Sequence, residues 1–205
     1  IPWILSVLIV AACIFFLQNR RKIIQIIKRK RGEENRPNFE SSIKNLIESK
    51  NGNVYGVLRF SIIWNDDGTW DENDLDAHCV EPTGNEIMYS NKVNIRTGGS
   101  LDYDNTHPTQ GEPACENITW DDIYLMESGQ YKFFVHQFAY RNGHSGFRAE
   151  IEFDNQIFYY DYRETLSQGT KVDVAYVTLQ NGTFSIQHCL PVQSVQHCDQ
   201  KEKNE

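Results

Sequence analysis

Residues 147–162 read FRAEIEFDNQIFYYDY. Phe147, Ala149, Ile151 and Phe153 alternate with Arg148, Glu150, Glu152 and Asp154, the period of two that marks a β-strand with one buried face. Residues 158–162 are rich in aromatics, and Asp154-Asn155 joins the two runs so tightly that a hairpin is expected. Working outward, Leu58, Phe60, Ile62 and Trp64 share a face within VLRFSIIW, and Tyr131, Phe133 and Val135 repeat the pattern. Residues 172–179 and 183–188 are β-branched or aromatic, with Asn181-Gly182 as a second hairpin turn. Asp67-Gly68, Thr83-Gly84, Gly98-Gly99, Ser128-Gly129 and Asn142-Gly143 supply further turns. About eight to ten short strands without a long helical pattern predict an all-β domain, an antiparallel β-sandwich of jelly-roll or immunoglobulin-like type. Its expected bounds are residues 55–190.

The N-terminal stretch has another character. Residues 1–17, IPWILSVLIVAACIFFL, carry no charge. As a helix they would reach about 25 Å, close to the thickness of a hydrocarbon core. A transmembrane helix over residues 1–19 is therefore expected ahead of the sandwich. The run NRRKIIQIIKRKR follows at once, and positive flanks stay cytoplasmic, so the C-terminal domain should face the cytoplasm. Residues 20–54 read as a basic juxtamembrane segment and linker with a short helix near residues 41–49, and residues 191–205 as a disordered tail. The first residue is Ile1, which suggests a fragment or a processed product of a longer chain.

The formal charge of -8 over 205 residues is unevenly spread. Basic residues dominate before Pro37, which leaves the rest strongly acidic. Such a surface repels phosphate backbones, so nucleic acid is excluded as a partner, whereas cations or basic partners suit it, as does plain solubility. The five cysteines form no CxxC pair and are odd in number, which is no disulfide framework and fits a reducing compartment. No nucleophile elbow, Walker loop, HExxH or dinucleotide fingerprint occurs.

The most informative stretch is WNDDGTWDENDLDAHCVEP, residues 64–82. Thr83-Gly84, then GGSLDYD at 98–104, ENITW at 116–120 and GQYKFFV at 129–135 follow it. This order resembles the YfaP-type bacterial domain, with related domains in phage proteins, over roughly residues 57–188. More remotely, the Asp-rich layout resembles the TerD tellurium-resistance sandwiches, which bind calcium. The resemblance implies a β-sandwich and assigns no activity.

The residues carry their own reading. In a strand starting at Asp74, Asp74, Asp76 and His78 share one face, and Asp102 and Asp104 are likewise two apart. If the strands approach, the carboxylates of Asp74, Asp76, Asp102 and Asp104 converge, and such a cluster is commonly neutralised by a hard cation with oxygen ligands. Ca²⁺ is the cofactor expected there, with Asp66, Asp67, Asp71, Asn73 or Asn105 completing its shell. The competing account makes these aspartates turn caps or partners of Lys92 and Arg96.

Asp66, Asp67, His78 and Trp120 are candidate binding residues, His78 as a metal ligand or a donor to a carboxylate. His136, in an apolar strand, reads as a core histidine. His188-Cys189 and His197-Cys198 offer zinc-type ligands, but neighbouring residues of a strand face opposite ways. Trp64, Trp70, Tyr89 and Trp120 could line a sugar cleft, yet no carboxyl stands out as a catalytic acid. Asn117 and Asn181 begin formal glycosylation sequons. Residues 138–147 suit either a recognition tip or an ordinary hairpin connection. The expectation is a membrane-tethered, non-catalytic binding module for a protein or carbohydrate partner. The alternatives are an assembly domain of a larger membrane protein and a carbohydrate-active enzyme.

Overall fold

The alternation of apolar and polar residues sorts the strands into two antiparallel sheets. The computed structural model describes residues 41–66, 72–109, 112–141 and 146–197. Twelve strands occur among them: β1 (Leu58–Trp64), β2 (Asp74–Val80), β3 (Glu86–Ile87), β4 (Val93–Asn94), β5 (Gly99–Tyr103), β6 (Ala114–Trp120), β7 (Gly129–Ala139), β8 (Phe147–Phe153), β9 (Gln156–Tyr162), β10 (Lys171–Gln180), β11 (Thr183–His188) and β12 (Val192–His197). A seven-stranded sheet runs β12-β9-β8-β1-β6-β5-β4, and a five-stranded sheet runs β11-β10-β7-β2-β3. The fold is an all-β sandwich.

Between the sheets lies one apolar core. Leu58, Phe60, Ile62 and Trp64 of β1 meet Leu75, Ala77 and Cys79 of β2, together with Tyr131, Phe133 and Val135 of β7. Both expected hairpins are present. Asp154 and Asn155 have φ of 47° and 59°, and Asn181 and Gly182 have 51° and 75°, the paired positive values of the turn whose twist matches its strands.

The sequence suggests that β8 is half-buried, but both of its faces are covered. Arg59 of β1 pairs across to Glu152, and Ser61 to Glu150, on the sheet's outer face. Helix α1 (Ser42–Ser49) lies over them. Ser41 caps the helix, its hydroxyl accepting from the Lys44 N–H at 3.0 Å, and the same hydroxyl bonds to Glu150. Ile43 and Ile47, one turn apart, bury against Val54, Ile63 and Cys115. The helix expected in a linker is therefore part of the domain, which begins by Ser41 rather than at residue 55.

The C-terminal side differs as well. Val192–His197 is not a loose tail but strand β12, paired with β9. The expected membrane span over residues 1–19, and the basic run after it, lie outside the described residues. No helix among the described residues is long and apolar enough to cross a membrane.

Candidate functional site: an aspartate–histidine cluster on the five-stranded sheet

The strand register of β2 and β7 builds the site. β2 turns Leu75, Ala77 and Cys79 into the core, so Asp74, Asp76 and His78 take its outer face, as their spacing predicts. On β7 the core takes Tyr131, Phe133 and Val135, which leaves Phe134 and His136 outward. Asp76 stands opposite His136, and His78 opposite Phe134. Cross-strand neighbours on one face touch, and the rings respond accordingly. His78 stacks on Phe134 with centroids 4.7 Å apart and meets His136 edge-on at 5.5 Å.

The polar atoms converge too. Asp76 Oδ2 is 3.8 Å from His78 Nε2 and 3.9 Å from His136 Nδ1. None of the three has a hydrogen-bond partner. Asp76 and His78 are only 2% and 3% exposed although they face away from the core. The other nitrogen of His78, Nδ1, sits 2.6 Å from Glu86 Oε1 of β3. A carboxylate only accepts, so the ring proton belongs on Nδ1 and Nε2 presents its lone pair to the cluster. Burial, above all, lowers the His136 pKa, which favours its neutral ring.

Among the described residues this is the one cluster of three or more acidic, histidine or cysteine side chains whose ligand atoms lie within 4.8 Å of each other. The expected convergence of four aspartates is not formed. Asp102 belongs to the outer face of the other sheet, where a register shift lies between Leu101 and Tyr103. Its Oδ2 accepts from the Asn53 N–H and its Oδ1 from Asn117 Nδ2, both at 2.7 Å. Asn117 in turn bonds Ser61, and Ser61 bonds Arg59, so Asp102 ends the polar seam beneath α1.

Asp104 turns elsewhere. Its Oδ2 holds Lys92 Nζ at 2.7 Å, the pairing that the competing account expected, and its carboxyl also meets Glu116. Glu116 is fully buried and accepts from the Ala77 N–H at 2.6 Å, on the part of β2 that β3 leaves without a partner strand. Burial, then the hydrogen bond with Asp104, pushes the Glu116 carboxyl well above the ordinary range. Burial and the nearby Asp104 carboxyl both favour the neutral form of Glu116.

Asp74 bonds Arg141 Nη2 at 3.0 Å. Burial, then the neighbouring Asp76 charge, raises Asp74 to about 6 against the pull of Arg141. The folded domain therefore keeps a proton that an unfolded aspartate releases near pH 4, so stability falls as pH rises from about 4 to about 6. In EDTA, Asp74→Asn is expected to flatten that slope and to add about 1–2 kcal/mol at pH 7.5. Urea unfolding of both proteins at pH 4.5 and 7.5 is the check, and an unchanged slope would assign the dependence to another carboxyl.

The remaining candidates are scattered. Asp66 bonds Arg148 on β8, and Asp67 lies outside the described residues, as do Trp70 and Asp71. Trp120 is no surface residue. It is wholly buried in the core, its indole N–H donating to Glu81 Oε1 at 3.1 Å. His136 is not a core residue either: it lies on the outer face with its side chain 19% exposed. His188 Nδ1 is 2.8 Å from the Tyr160 hydroxyl, and Cys198 is outside the described residues.

Around the cluster stand aromatics. Phe138 lies 6.2 Å from the His136 ring and 5.1 Å from Tyr89, and these two aromatics are 43% and 41% exposed. The Lys171 ammonium lies 5.1 Å from the Phe134 ring centre. No protein-family model and no curated protein matches the chain.

Proposed function

We propose that the sandwich is a non-catalytic binding module that recognises a protein or carbohydrate partner through the outer face of its five-stranded sheet. One observation carries the reading. Tyr89 and Phe138 pack against each other at a tilt, both well exposed, immediately beside the Asp76–His78–His136 cluster. Exposed aromatic rings over a rigid polar floor suit partner capture, because two-torsion side chains lose little entropy when they are covered. The uncharged residues 1–17 and the basic run after them support a tether that holds the module at the cytoplasmic side of a membrane.

The test is a surface change that spares the core. Tyr89→Ser combined with Phe138→Ser should leave the unfolding midpoint nearly in place, since neither ring is buried, and should abolish capture on glycan and peptide arrays. Capture on one array type names the partner class. Capture by the double variant equal to that of the parent would refute this face as the recognition surface.

A further inference from the structure

Asp76 Oδ2, His78 Nε2 and His136 Nδ1 point at one another with no hydrogen bond used, and two of the three side chains are nearly inaccessible. Buried polar atoms without partners are uncommon, because each forfeits its bonds to water. Three such atoms aimed at one point imply a missing centre. We propose that they hold a divalent transition-metal ion of the zinc type, with one carboxylate and two imidazoles as its protein ligands.

The donor set selects the ion. Two imidazole nitrogens and one carboxylate oxygen suit zinc, iron, cobalt or nickel, whereas calcium takes six to eight oxygens. This replaces the calcium expected from the aspartates alone. Ligands at about 2.0–2.1 Å around a tetrahedral ion stand about 3.4 Å apart. The observed separations of 3.8 and 3.9 Å from Asp76 are within a small side-chain movement of that.

Glu86 supplies an independent argument. Metal-binding histidines usually give their second N–H to a carboxylate, which fixes the tautomer and the aim of the ring. His78 has that arrangement, with Glu86 Oε1 2.6 Å from its Nδ1. Stacking on Phe134 holds the same ring from its face. Three protein ligands leave a coordination position for water or for a partner's donor atom. Metal binding is separable from recognition, since the ion can be present whether or not Tyr89 and Phe138 capture anything.

The experiment uses the whole 205-residue chain, stripped with EDTA and dialysed. Zinc binding is measured by calorimetry, cobalt by its visible absorption, and unfolding midpoints with zinc, calcium or no metal. One equivalent of zinc should bind, and zinc at about a hundredfold excess over Kd should raise the midpoint by about 5–10 °C. Cobalt should give the visible bands of a nitrogen–oxygen site. Asp76→Asn and His136→Gln should each weaken zinc at least about a hundredfold, and Glu86→Gln by about 10- to 100-fold. Asp102→Asn, on the other sheet, should leave it unchanged. His136→Gln is the secure variant for folding, because that side chain lies on the outer face, away from the core, and is 19% exposed against 3% for Asp76.

Four results would overturn the site: no zinc binding, as for a trapped water; undiminished binding in Asp76→Asn and His136→Gln; a near-ultraviolet thiolate-to-cobalt band marking cysteine ligands; or a midpoint that rises with calcium and not with zinc.

Discussion

Replacing Arg59 with methionine is expected to lower the stability of the domain by about 3–5 kcal/mol, the range for breaking one side of a buried ion pair. Arg59 is completely buried, and its guanidinium bonds Glu150 and Glu152 at 2.8 Å. Removing it leaves two neighbouring carboxylates under helix α1 with only Lys44, 3.3 Å from Glu152, to balance them, and the cost is mostly theirs. The companion Arg59→Met, Glu150→Leu, Glu152→Leu removes the three buried charges together, leaving only Lys44 at the edge to turn to water, and should recover much of the loss, since apolar packing can replace a buried ionic group. Urea unfolding midpoints for the parent and both variants test this. A triple variant weaker than the single one would show that the ions contribute net stability.

Trp120→Ala should be about as costly, again about 3–5 kcal/mol, as a large aromatic removed from a closed core. The indole meets Tyr131 and Phe133 edge-on at 5.5 and 6.0 Å. Gly99 is pressed against it: a Cβ on that glycine would stand 2.5 Å from the indole nitrogen. The substitution leaves a cavity and takes the indole donor from Glu81. The denaturation midpoint should fall while the slope stays constant, the mark of a stability change alone. Loss of capture with stability intact would instead restore Trp120 as a contact residue.

Those two sites also show what a sequence conveys. The alternation in residues 147–153 marks a strand and its inward face correctly, because period two is set by backbone geometry. It is silent about the second face, since Glu150 and Glu152 look like solvated residues until Arg59 and α1 are placed over them. The turns at Asp154-Asn155 and Asn181-Gly182 are legible because few residues adopt positive φ readily.

The candidate site is half legible. Spacing puts Asp74, Asp76 and His78 on one face, and the structure agrees. Spacing also puts Asp102 and Asp104 together, but the shift between Leu101 and Tyr103 separates them. A one-residue irregularity reverses a strand's facing, and nothing in SLDYD announces it. His136 had a usable signal. The alternation places Tyr131, Phe133 and Val135 inward, so residue 136 is out of phase with the core. What no local pattern supplies is the pairing of β2 with β7, which alone sets Asp76 opposite His136.

Helix α1 has a mechanical consequence. Its first turn is fastened through Ser41 and Lys44 to Glu150 and Glu152, on a strand well inside the seven-stranded sheet. Tension carried by the chain ahead of Ser41 would therefore load two polar anchors before it reached any inter-strand ladder. The helix would act as a fuse. It would peel from the sheet and lengthen the chain while the sandwich, with its opposite face, kept its shape.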